Sequence, residues 1–112
     1  MPATRTIVNI EAKNVVWRVA ISPTSRRHIA ICDALSLTLE AKNREELHSL
    51  IPEAIHLLMI DLFAEDELDQ FLRDRGWRAP KLPPRTQRNI EFKVPWELVA
   101  ERVRRDSERR SN

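Results

Sequence analysis

A chain of 112 residues with 42% apolar and 32% charged side chains has enough hydrophobic material for one buried core and too much for wholesale disorder. Gly76 is its only glycine, which argues against a glycine-rich phosphate cradle, and Cys32 its only cysteine, which excludes an internal disulfide and a cysteine-rich zinc site. The net charge of +2 conceals an uneven distribution, with an acidic stretch over 43–72 followed by a basic one over 73–93.

In chain order, residues 6–12 and 14–21 read as extended. The second stretch alternates Val15, Trp17, Val19 and Ile21 against Val16, Arg18 and Ala20, the period of a central strand. The first is either a separate short strand or its continuation across an irregularity at Lys13 and Asn14. Pro23 and its small polar neighbours predict a turn over 22–27, after which 28–32 and 35–41 follow as the next two strands. The connections are short enough for antiparallel neighbours, so these strands form a meander, with Arg18, Thr38 and Glu40 on a partly polar face.

Asn43, followed three places later by Glu46, has the arrangement of a capping box and predicts a helix over 43–62. Its apolar stripe runs through Leu47, Leu50, Ile51, Ala54, Leu57, Leu58 and Leu62, and Pro52 predicts a kink near Ser49. A second helix over 65–75 carries acids in its first turn and arginines in its last, matching the helix dipole. Gly76 is placed to end it in the left-handed conformation, with Trp77 folding back on Leu68, Phe71 and Leu72.

Pro80, Pro83 and Pro84 make 78–88 an extended linker. Residues 90–100 form the clearest alternation, with Ile90, Phe92, Val94, Trp96, Leu98 and Ala100 on one parity, a strand with one buried face. Pro95 cannot donate to a ladder and therefore belongs at a sheet edge or a bulge. Residues 101–112 are a charged tail, and the longest apolar run, 54–60, is short and broken by His56, so neither a signal segment nor a membrane span is expected. The expected fold is a single α+β domain over 1–112: a three-stranded antiparallel meander, crossover helices, and a fourth strand parallel to the first, in the order 3-2-1-4. The expected compartment is the cytoplasm.

The strand Ile29-Ala30-Ile31-Cys32 with its Asp33 turn, the strand Leu37-Thr38-Leu39-Glu40-Ala41 and the helix start Asn43-Arg44-Glu45-Glu46-Leu47 form a pattern. Together with Leu50-Ile51-Pro52-Glu53-Ala54-Ile55 and Val94-Pro95-Trp96-Glu97-Leu98-Val99-Ala100, this chain resembles the HicB-like antitoxin family over residues 14–105, and its short relatives in particular. The chain departs from the family where Ala34-Leu35-Ser36 replaces a Pro-Gly turn and Lys42-Asn43 replaces an Asp-Thr cap. The resemblance implies a partial RNase H-like fold and a non-catalytic protein-interaction role. It also implies a small basic toxin as partner, similar to the HicA ribonuclease.

Catalysis lacks support in the residues. A two-metal nuclease needs clustered carboxylates on its central strand, and 14–21 contains none. Asp33, Glu40 and Asp61 are the other candidates, Asp33 reading as a turn residue and Asp61 as a solvated helix position. His48 and His56 are eight apart, not the i, i+4 pair of a zinc helix, and His28 begins a strand. No cofactor or metal is expected. For binding, the sequence offers two sets of residues. Phe92, Val94, Trp96 and Leu98 on the Pro95-bearing edge could meet a partner or a second copy, and a homodimer through the exposed sheet is expected. Arg78, Lys81, Arg85, Arg88, Arg102 and Arg105 form the alternative, a nucleic-acid surface.

Overall fold

The computed structural model describes residues 5–100, an α+β chain of six strands and two helices in which the strands form two sheets. The elements are β1 Thr6–Asn9, β2 Val16–Ile21, β3 His28–Cys32, β4 Leu37–Ala41, α1 Arg44–Ala64, α2 Leu68–Asp74, β5 Ile90–Lys93 and β6 Glu97–Ala100. They divide into two units. A helical unit takes the residues up to Asn14 and His48–Pro95, and a sheet unit takes Val15–Leu47 and the residues from Trp96.

The sheet unit has strand order β4-β3-β2-β6. β3 is antiparallel to both β2 and β4, while β6 runs parallel to β2 with Trp17 opposite Leu98. Trp17, Val19, Ala30, Cys32 and Ala41 are buried on one side of the pleat, as strand alternation requires. The turns take left-handed residues at Arg26 and Ser36, and the Ser36 amide donates to the Asp33 carbonyl at 3.2 Å. Asn43 caps α1 as its sequence implies. Its Oδ1 accepts from the Glu46 amide at 2.8 Å, and Glu46 reaches back to the amide of Lys42 at 2.7 Å, one residue earlier than in the usual box.

In the helical unit β1 and β5 form a two-stranded parallel sheet, with Thr6 opposite Ile90 and Asn9 opposite Lys93. Val8, Ile10, Ile90, Phe92 and Val94 are buried, whereas Ile7 and Lys93 are exposed on the opposite parity. Arg5 bridges to Glu91 and holds its carboxyl below the usual carboxylate range. Glu11 and Arg78 form an isolated antiparallel bridge, reinforced by an ion pair at 2.9 Å.

The final stretch is two strands, not one, and they join different sheets. Val94–Trp96 lies outside both, and Pro95, lacking an amide proton, interrupts the ladder there. The N-terminal stretch is likewise two strands, broken before Val16 with Asn14 at φ 61°. Between paired positions the first stretch spends ten residues, Thr6 to Val16, where the last spends seven, Ile90 to Glu97. The extra length is the Glu11 segment that meets Arg78.

α1 runs unbroken through Pro52, whose side chain is exposed. Its buried row is Leu47, Ile51, Ile55, Met59 and Phe63, so the expected stripe through Leu57 is displaced, and Leu57 is 55% exposed. Apolar residues occupy most sides of this helix, and by length and composition alone, with a mean hydropathy of 1.4, it meets the requirement for crossing a bilayer.

The second helix is shorter than expected because residues 65–67 close the first one. The Glu67 amide donates to the Leu62 carbonyl at 2.8 Å and the Asp66 amide to Phe63 at 3.2 Å, a Schellman motif with Asp66 at φ 62°. α2 ends the same way with Gly76 at φ 73°, the Trp77 amide donating to Leu72 at 2.8 Å and the Trp77 ring packing edge-on to Phe71. An L-residue in this conformation costs about 1–2 kcal/mol, partly offset by the greater freedom that glycine has in the unfolded chain. Asp66→Gly is therefore expected to stabilise the protein by roughly 0.5–1 kcal/mol, read as a higher urea midpoint at unchanged slope.

Candidate interaction surface

The outward side of the sheet unit carries an open, largely apolar groove. Strand register builds it: Ala20 lies opposite Ile29 and Arg18 opposite Ile31, which places all four side chains on the pleat face away from Trp17. Ile21 at the end of β2, with Ser22 and Pro23 just beyond it, completes the lining, and together these seven residues line a groove of about 560 Å³. Ile21, one of the lining residues, is 54% exposed, a large apolar side chain held in water.

Charged pairs frame this apolar strip. Arg18 reaches Asp33 at 3.2 Å beside Ile31, and Arg27 reaches Glu40 at 2.6 Å beside Ile29. All four charged groups are substantially exposed, so each pair is worth about 0–1 kcal/mol to the fold and is available to reorganise around a partner. An apolar centre with a polar rim is the anatomy of a protein interface. A small-molecule pocket would instead converge several polar groups on one ligand. The signal for it in the sequence was β3 itself: Ile29 and Ile31 on one parity and Ala30 and Cys32 on the other make it apolar on both faces.

The expected binding residues are distributed differently. Phe92 and Val94 are buried in the helical unit, with the Phe92 ring 5.6 Å from that of Phe63, while Trp96 and Leu98 are half-buried in the sheet unit. The break at Pro95 therefore divides them between two units. Comparison with known protein families, curated proteins and solved structures returned no match to this chain.

The basic residues are partly committed to structure. Arg78 pairs with Glu11, and Arg85 donates to the Ala64 carbonyl at 2.8 Å, satisfying an orphan acceptor at the end of α1. Arg75 lies 3.6 Å over the Phe71 ring. Lys81 and Arg88 are exposed, and Arg102 and Arg105 lie outside the described residues. Of the carboxylates considered for metal chemistry, Asp33 and Glu40 are in ion pairs and Asp61 is exposed on α1. Among the described residues no group of three or more His, Cys, Asp or Glu is arranged to hold a metal ion. Burial pushes the Cys32 thiol up from its ordinary value, which keeps it protonated and a poor nucleophile.

Proposed function

We propose that this chain is a non-catalytic protein-interaction module of the HicB-like type, acting in the cytoplasm to bind and restrain a small basic toxin. The observation that carries the reading is the apolar groove of Ala20, Ile21, Ile29 and Ile31 framed by the Arg18–Asp33 and Arg27–Glu40 pairs. Support also comes from the order of elements in the sheet unit: a meander, a capped helix start, and a last strand parallel to the first, the arrangement that the partial RNase H-like reading requires. The Asp33 and Glu40 carboxylates, held in exposed ion pairs with Arg18 and Arg27, can exchange those arginines for the cations of a basic partner.

The test compares two tagged forms expressed in the source cells, the wild type and Ile31→Glu, which puts a carboxylate in the middle of the groove. The wild type is expected to retain a small basic protein, identified by mass spectrometry. Ile31→Glu should lose it at least tenfold while keeping its circular dichroism spectrum. Recovery of no such protein with the wild type, or equal recovery with both forms, defeats the proposal.

A further inference from the structure

We infer that the outward side of α1 is a docking surface for a basic amphipathic helix of a partner protein. The buried row from Leu47 to Phe63 steps by four residues and leaves another face of the helix turned to solvent. Leu50, Ala54, Leu57 and Asp61 recur there at the spacing of one helical stripe, with Glu53 and Ile60 beside them. Leu57 is 55% exposed, and Leu50, Ala54 and Ile60 are half-buried. An apolar stripe left at the surface marks a contact site, whereas a leucine exposed alone would need no explanation. This surface belongs to the helical unit, and the groove belongs to the sheet unit.

Charge selects the occupant. Glu53 and Asp61 flank Leu57 one helical turn to either side, both exposed, and neither carboxylate has an ion-pair or hydrogen-bond partner among the described residues. Arg44 is the only Lys or Arg in α1, and it lies about half a rotation round the helix from Glu53. A second copy fits poorly, because an antiparallel pair with Leu57 on Leu57 sets Glu53 against Asp61 at both ends. An anionic bilayer surface is repelled by the same two carboxylates, where a helix lying in that interface carries lysine and arginine instead. A partner helix with one stripe of leucines and lysines or arginines beside it covers Leu50 and Leu57 and supplies the cations this face lacks.

Two synthetic helical peptides that share one leucine stripe, and carry either lysine or glutamate at the flanking positions, serve as probes on the full chain. By fluorescence anisotropy at low salt, the wild type is expected to bind the lysine peptide at least about tenfold more tightly than the glutamate peptide. Glu53→Lys combined with Asp61→Lys should invert that order, and Leu57→Ser should weaken lysine-peptide binding at least about fivefold, each with an unchanged circular dichroism spectrum. Ile31→Glu, in the groove, should bind the peptide as the wild type does, so a failure of the groove reading leaves this result standing. No binding of the lysine peptide, equal affinity for the two peptides, an order unmoved by the charge reversal, or loss of binding in Ile31→Glu overturns the inference. Association with phosphatidylglycerol vesicles in place of the lysine peptide overturns it too. Should the charge-reversed variant fold poorly, amide chemical shifts of the wild type decide. The lysine peptide must move those around Leu50, Leu57 and Asp61, and shifts confined to other residues refute the site.

Discussion

Phe92→Ala is expected to destabilise the protein by about 3–5 kcal/mol, the usual cost of emptying a buried phenylalanine site. Phe92 is 3% exposed, its ring stands 5.6 Å from Phe63, and its amide is held by His56. Small proteins have only about 5–15 kcal/mol in total, so the variant should lose a large part of its urea midpoint and melt at least about 10 °C lower. The size of this loss bears on function. A residue at a partner-facing edge weakens binding when truncated and leaves the free chain stable, whereas Phe92 should do the reverse. A midpoint within about 0.5 kcal/mol of wild type would remove Phe92 from the core and return it to the surface.

The reading of residues 90–100 as one strand has a local cause. From Ile90 to Ala100 the parity of apolar residues never breaks, so periodicity describes one strand, and the only mark of a division is Pro95, which an edge strand or a bulge would also explain. Which sheet each half joins depends on pairing with β1 and β2, contacts some eighty residues distant that no local pattern encodes. α1 fails in a different way. Leu57 and Met59 are equally plausible core residues by composition, yet one is 55% exposed and the other fully buried, because a helix apolar on most sides does not specify its own inward face. Capping chemistry, by contrast, is local and was legible: Asn43, Glu46, Gly76 and Trp77 do what their spacing implies. Asp66 was missed as a terminator because a left-handed aspartate has no sequence mark comparable to glycine.

The groove illustrates the same division between local and distant information. Ile29 and Ile31 were visible as the apolar parity of a short strand, but apolar residues on both parities describe a strand covered on both sides as well as one with an open face. The register that sets Ala20 and Arg18 beside them makes one surface of the four, and Ile21, Ser22 and Pro23 complete its lining. The charged residues around it were read singly, Asp33 as a turn residue and Arg18 as a polar strand position. Their pairing 3.2 Å apart is a consequence of the β2–β3 turn, which returns the chain along itself.

Trp17→Ala is expected to cost about 3–5 kcal/mol, whereas Trp17→Phe should stay within about 1 kcal/mol of the wild type. Trp17 is fully buried in β2, flanked by β3 and β6, and among the described residues no acceptor reaches its indole Nε1. A buried donor without a partner costs about 1–3 kcal/mol. Phenylalanine retains most of the aromatic packing and removes that donor, so the lost area and the relieved polar group offset each other, while alanine leaves a cavity. Urea titrations monitored by circular dichroism should separate the two variants by several kcal/mol. If phenylalanine proves as costly as alanine, the indole N–H contributes to the fold and is not an orphan. The pair also isolates the groove from the core behind it. Trp17 and Arg18 point to opposite sides of one strand, so Trp17→Phe should leave capture of a basic partner unchanged, whereas Trp17→Ala should reduce it only in proportion to the fraction of chain unfolded.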